Sequence, residues 1–146
     1  MAAHIPNRAP DVIGSSRLAH VCRRLSLGLL AVASFGLLCT RRVRVSGNSM
    51  APALQNGDRL LAVPAPHARP GSVVLLPDPR YPERVLVKRL VSSARDQAWV
   101  TGDNADESTD SRHFGPVRIR APWWVAVWRY APVDRMGAIR STLPTP

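Results

Sequence analysis

Hydrophobic and polar positions divide the chain into three textures. Residues 1–16 are polar and punctuated by Pro6, Pro10 and Gly14, and are expected to be disordered. From Leu25 to Cys39 the chain runs 15 residues without a charge, with Arg17, Arg23 and Arg24 before it and Arg41, Arg42 and Arg44 after it. Residues 17–42 therefore read as one basic-flanked apolar helix. A spanning helix needs about 20 apolar residues, so this run reaches across only with snorkelling arginines at both ends. It is expected to be an uncleaved membrane anchor. Cleavage as a signal peptide would start the mature chain almost at Ser49 and remove the strand expected before it. Basic residues on both flanks specify its orientation only weakly.

After residue 42, short apolar runs alternate with Pro and Gly. Candidate strands are Val43–Ser46, Arg59–Val63, Ser72–Leu76, Arg84–Val91, Ala98–Thr101, Val117–Ala121 and Trp123–Tyr130. Breakers such as Pro64-Ala65-Pro66, Arg69-Pro70-Gly71 and Pro77-Asp78-Pro79 lie between them. No segment beyond residue 45 sustains a 3.6-residue period. Residues 43–146 are accordingly expected to form one mostly-β domain, a small folded or barrel-like sheet. Trp123, Trp124 and Trp128 belong either to its core or to a membrane interface, where tryptophan is favoured.

Charge changes this picture in two ways. The net charge is +10, and +6 of it falls in residues 1–45. An excess concentrated beside an apolar run points to a membrane surface and away from nucleic acid, whose binders spread basic residues among aromatics on a folded face. Of the 20 basic residues, 19 are Arg and one is Lys, at position 88. Arginine keeps its proton in proteins, whereas a buried lysine can lose one. In the strand Arg84–Val91, Leu86, Lys88 and Leu90 share one face while Val85, Val87, Arg89 and Val91 share the other. An ammonium placed in an apolar stripe is disfavoured, which lowers the lysine pKa toward the range of a general base. The competing reading is an edge-strand lysine that discourages aggregation.

Two further stretches carry polar residues in unusual settings. Gly47 and Pro52 bracket Ser49, with Met50 and Leu54 apolar and Gly57-Asp58 reading as a turn. A serine nucleophile needs a base and N–H donors for its oxyanion, and a bent Gly-containing segment can expose both the hydroxyl and its own N–H. Taken alone, Ser49 reads more readily as a turn serine capping its own backbone. Gly102–Val117 is a long polar loop in which Asp110 and Arg112 can pair and Ser108 can orient a neutral amine; the alternative is a solvated loop of Asx-turns. Cys22 and Cys39 stand about 25 Å apart if the apolar run is helical, too far to bridge. The four histidines show no metal-ligand spacing, so neither a metal nor a cofactor is expected.

These three stretches, in this order, resemble the type I signal peptidase family of Ser/Lys serine proteases. Gly-Asn-Ser-Met-Ala-Pro-Ala-Leu…Gly-Asp from Gly47 to Asp58 looks like its nucleophile box, Val87-Lys88-Arg89 like its lysine box, and Gly102-Asp103-Asn104…Ser108-Thr109-Asp110-Ser111-Arg112…Phe114-Gly115 like its C-terminal box. The resemblance covers roughly residues 43–120. It implies Ser49 as nucleophile and Lys88 as general base. Ser108 would hydrogen-bond the lysine, and Asp110 with Arg112 would support the loop. Gly47, Met50 and Pro52 would shape the nucleophile box and oxyanion region. Ala53 stands where Thr is usual, Ser72 where Asp often follows the glycine, and Gly47 where some members carry a hydroxyl for the oxyanion hole. The hole is thus left to the Ser49 N–H and a second backbone donor, and loss of one donor can cost on the order of 10²-fold in rate.

The implied protein is an endopeptidase that removes N-terminal signal peptides from exported preproteins. Its substrate would lie as an added strand with small residues before the cleavage site. It would sit in the plasma membrane by a single pass, with an extracytoplasmic catalytic domain and membrane lipid as a partner. Two alternatives accompany this expectation. The small nickel superoxide dismutase maturation proteases share the boxes and need no anchor, which would make the chain cytoplasmic. An inactive homologue that binds exported segments is the alternative from another class, against which the complete set of Ser49, Lys88 and Ser108 argues.

Overall fold

Strand pairing begins almost as soon as the apolar run ends. The structure, a computed structural model, describes residues 39–142. Its strands are β1 (Arg41–Arg44), β2 (Arg59–Ala65), β3 (Val73–Pro77), β4 (Val85–Ala94), β5 (Gln97–Thr101), β6 (Val117–Arg118), β7 (Trp123–Ala131) and β8 (Gly137–Ala138). A one-turn helix, α1 (Ser111–Phe114), precedes β6, and a 3-10 turn (Val133–Arg135) precedes β8. All pairings are antiparallel. They make one sheet in the order β1-β2-β7-β3-β4-β5-β6, with β8 added to β7. The expected mostly-β class is the class observed.

The sheet has apolar material on both faces. Val45, Met50, Leu54, Leu60, Ala62, Val73, Leu75 and Ala126 form one core. Val74, Leu76, Leu90, Ala98, Val100, Val117 and Trp123 form the other. Strand β3 serves both, which explains why Val73-Val74-Leu75-Leu76 is continuously apolar instead of alternating. Each fully buried aliphatic side chain of this kind stabilises by about 1.5–3 kcal/mol. Strand β4 obeys the expected parity: Leu86 and Leu90 join the second core and Val87 packs on the first.

Several boundaries differ from the sequence expectation, each for a pairing reason. Arg41 and Arg42, assigned to the end of the apolar helix, are strand instead, because they pair with Ala62 and Leu61 of β2. The Arg41 guanidinium also lies 4.2 Å from the centroid of the Trp124 ring, a cation–π contact that hydropathy does not register. Polar Ser92 and Ser93 continue β4 because β5 folds back on them through a tight turn at Arg95, whose φ of 54° is left-handed. Cys39 and Thr40 are not helical either, and residues 17–38 of the expected helix and the N-terminal segment lie outside the described residues. Among the described residues no helix is long and apolar enough to cross a membrane. Of the β7 tryptophans, Trp123 is core, Trp124 is half-buried under Arg41, and Trp128 is exposed.

Asp58 links the serine-bearing loop to β7. It is fully buried, accepts from Gln55 N–H at 2.9 Å, and pairs with Arg129 at 3.1 Å and Arg135 at 2.8 Å. Arg129 also donates to the carbonyl of Ala53. Removing the carboxylate strands two guanidinium groups that are only partly hydrated. Asp58→Ala is therefore expected to destabilise the domain by about 2–3 kcal/mol. Urea unfolding should show a lower midpoint with an unchanged slope; a midpoint within error of the parent would contradict this assignment.

Candidate active site

Residues 45–58 leave β1 and return to β2 as a pinned, bent loop. Its ends are tied by Val45 N–H to the Asp58 carbonyl (2.8 Å) and Gly57 N–H to the Val45 carbonyl (2.9 Å). Met50 and Leu54 insert into the first core at 1% and 2% exposure, and Leu54 N–H donates to the Met50 carbonyl. Gly47 sits at φ 85°, a left-handed conformation that glycine adopts without strain, and its N–H donates to Asn56 Oδ1. Anchored by its neighbour Met50, half-buried Ser49 lines a cleft of about 530 Å³. Pro52 lies exposed on the turn beyond it.

Lys88 lines the same cleft from β4 and is 3% exposed. Its Nζ donates to Ser108 Oγ at 2.8 Å, and the Ser108 hydroxyl donates to Asp110 Oδ2 at 2.6 Å. Asp110 is a hub. Its Oδ2 also accepts from Gly102 N–H (2.9 Å) and Arg112 Nη2 (2.7 Å), while Oδ1 accepts from Arg112 Nε (2.9 Å) and Arg112 N–H (3.2 Å). Asp110 is also the N-cap of α1, so the segment read as loop closes into one helical turn, too short to leave a periodic signature. That turn is tied to β5 by Val100 N–H donating to Ser111 Oγ at 2.9 Å.

The titration behaviour follows from this arrangement. Burial pulls Lys88 below its ordinary value; the nearby Asp110 charge opposes the shift and Arg112 adds to it. Burial alone would raise Asp110, but the hydrogen bonds from Arg112, Ser108 and Gly102 outweigh it and hold the carboxyl well below the usual range. Asp110 is therefore a fixed anion.

Residues 102–104 form the seam between the two halves of the cleft. Asn104 N–H donates to the Ser49 carbonyl at 3.1 Å. A Cβ on Gly102 would lie 2.3 Å from both the Ser49 carbonyl oxygen and Ser108 Oγ, so no other residue fits. Arg89 holds Asp103 through two bonds of 2.6 Å and also donates to the carbonyls of Gly71 (2.7 Å) and Arg140 (3.2 Å). The sequence names Gly102, Asp103 and Arg89 only as members of the matched boxes and assigns them no role. The available signal was an Arg alternating with Lys88 in an apolar strand, which can be buried only if a carboxylate meets it.

The cleft runs between Arg44–Met50 on one wall and Arg84–Lys88 on the other. Strand β4 pairs with β3 from Val85 to Arg89, whereas β5 pairs with it only from Arg89 onward. Leu90 and Arg84 direct their main-chain groups toward the β3 side. By antiparallel alternation the N–H and C=O groups of Val85 and Val87 then face the cleft, unpaired by β5. This is an open strand edge beside Ser49. Among the described residues, no three His, Cys, Asp or Glu side chains converge as a metal site requires.

Ser49 and Lys88 thus line one cleft with Gly47 and Met50, and Ser108, Asp110 and Arg112 stand behind Lys88. A family model described as Peptidase S24-like matches residues 38–120, from just before β1 to just beyond β6. In class, therefore, this is a peptidase-family protein. The chain is 33% identical over 123 aligned positions to the mitochondrial ATP-independent inner membrane protease subunit 1a of Arabidopsis thaliana, covering 66% of this chain and 73% of the relative. It is 31% identical over 127 positions to the mitochondrial inner membrane protease subunit 2 of Mus musculus, covering 69% and 73%. It is 27% identical over 127 positions to subunit 1 of the Homo sapiens protease, covering 68% and 75%. The chain belongs to the Peptidase S24-like family, on its type I signal peptidase side.

Two outcomes follow from the site. Gly102→Ala is expected to separate the Ser49 loop from Ser108 and to lower stability by about 2 kcal/mol or more, read by thermal melting; an unperturbed melt would remove the tight seam from the account. The Lys88 amine is depressed in the fold and ordinary in the unfolded chain. Between those two pKa values the unfolded chain binds more protons, so stability rises with pH across that window. Lys88→Met should flatten this slope, as seen by comparing melts below and within the window; an equally steep slope in the variant would assign it elsewhere.

Proposed function

We propose that the chain is a serine endopeptidase in which Ser49 is the nucleophile and Lys88 the general base, and that it removes N-terminal signal peptides from exported preproteins. The observation that carries this reading is the state of Lys88. It is buried in the cleft that Ser49 lines, touches no carboxylate, and gives one N–H to Ser108. A neutral amine that gives one hydrogen to Ser108 leaves two staggered positions for its second hydrogen and its lone pair, and with the lone pair toward the cleft it can accept the Ser49 proton.

In the proposed reaction Lys88 takes that proton as the Ser49 oxygen attacks the scissile carbonyl. The Ser49 N–H and a second main-chain donor hold the oxyanion, since Gly47 brings no hydroxyl. The Lys88 ammonium then protonates the leaving amine, and the amine, neutral again, activates water to release the acyl-enzyme. Ser108 stays on the lysine throughout, and Asp110 fixes the Ser108 hydroxyl and favours the transient ammonium. The substrate pairs as a strand with the open Val85–Val87 edge, and apolar Met50 and Leu86 lie where only small residues before the scissile bond fit. A membrane setting is supported by the inner membrane proteases among the relatives and by the apolar run of residues 25–39. We place the chain in the plasma membrane by a single pass, with an extracytoplasmic catalytic domain.

The test is cleavage of a secretory preprotein in detergent by the parent, Ser49→Ala and Lys88→Arg. The arginine keeps a positive charge and cannot act as a base. Both variants are expected to lose at least about 10³-fold in kcat/KM. The parent kcat/KM should rise with pH to a plateau reached below the pH where an exposed lysine titrates, because burial lowers Lys88. Activity retained in Lys88→Arg would end the Ser/Lys assignment. An inert parent on preproteins that cuts a nickel superoxide dismutase precursor would transfer the client, and an inert parent on both would favour a binding role.

A further inference from the structure

The end of the cleft away from Ser49 is cationic. Each wall opens with an arginine: Arg44 stands five residues before Ser49, and Arg84 stands four before Lys88. Both are exposed, and neither has a carboxylate within ion-pair distance among the described residues. Arg84 is restrained by stacking 5.6 Å from the Tyr81 ring centroid. Arg80 also lines the cleft, but its charge is offset by a two-pronged pair with fully buried Asp78, at 2.9 and 3.0 Å. The acid on the lining, Glu107, sits at the opposite end and accepts from Asn48 next to Ser49. The cleft is therefore polarised along its length, with two guanidinium groups that form no ion pair among the described residues toward the end away from Ser49.

Resting on the endopeptidase reading above, we propose that Arg44 and Arg84 form a charge-selective subsite. It takes an Asp or Glu four or five residues before the scissile bond and discriminates against Lys or Arg there. The spacing follows from strand geometry. At about 3.3 Å per residue, Val85 at the start of β4 lies about 10 Å from Lys88, Arg84 is the residue just before it, and an added strand advances at the same rate. A substrate residue four or five positions from the attacked carbonyl is then level with Arg84, and Arg44 lines the opposite wall of the same cleft. The subsite selects among preproteins by the charge ahead of the small-residue motif, a property separate from the chemistry at Ser49.

The test uses one peptide series cleaved by the full chain at low ionic strength, with Ala, Asp or Lys at each of those two positions in turn. An exposed charge pair contributes up to a factor of about 5, so kcat/KM for the Asp peptide should exceed that for the Lys peptide by about tenfold at one of them. Raised salt should shrink the ratio. The Arg44→Gln/Arg84→Gln variant should bring it near one, and Arg44→Glu/Arg84→Glu should invert it. A ratio near one in the parent, or a ratio that persists in the Gln variant, overturns the subsite and leaves the Ser/Lys reading intact. Absence of any Ser49-dependent cleavage across the series overturns both.

Discussion

A buried amine must be neutral or paired, and the site is arranged around how Lys88 meets that requirement. A carboxylate in contact would have stabilised the ammonium and raised its pKa. The chain instead places one hydroxyl between them, so Lys88 meets Ser108 and only Ser108 meets Asp110. The amine keeps a hydrogen-bond partner, avoiding the roughly 1–3 kcal/mol cost of an unsatisfied buried donor. It is also kept from a permanent proton. Each unit by which its pKa falls represents about 1.4 kcal/mol of preference for the neutral form.

The rest of the site is the machinery that keeps this arrangement rigid. Asp110 can be fully buried as an anion because Arg112 grips both of its oxygens and Gly102 and Ser108 complete its shell. The same residue starts α1, so the helix turn, the lysine and β5 are positioned by one carboxylate. On the opposite face of β4, Arg89 and Asp103 hold the backbone that carries Gly102 and Asn104. Gly102 lets the Ser49 loop and Ser108 approach more closely than any side chain would allow. Electrostatics and packing thus converge on a few residues, while among the described residues the Val85–Val87 edge of β4 stays open.

Much of this was legible in the chain. The period-two pattern with its breakers located most strands, and the solitary lysine among arginines singled out Lys88. The spacing of Asp110 and Arg112 made their pairing readable and Ser108 offered a hydroxyl for an amine, whereas the bond from Ser108 to Asp110 came only with the fold. What stayed hidden depended on contacts between distant segments. Arg41 and Arg42 look like the basic flank of an apolar helix until β2 pairs with them. Arg89 looks like the exposed face of an amphipathic strand until the sheet acquires a core on both sides. Gly102 looks like an ordinary turn glycine, since nothing local says that Ser49 and Ser108 crowd it.

The sequence by itself determined the mostly-β class, the residue types available for chemistry and their order along the chain. These rest on local properties: side-chain alternation, turn formers and the fact that lysine alone among the strong bases can give up its proton. Tertiary structure decided which of those residues share a cleft, how deeply Lys88 is buried, and which strand edge is left unpaired. Burial and edge exposure are properties of the whole sheet, set by which strand lies beside which. No single segment carries that information.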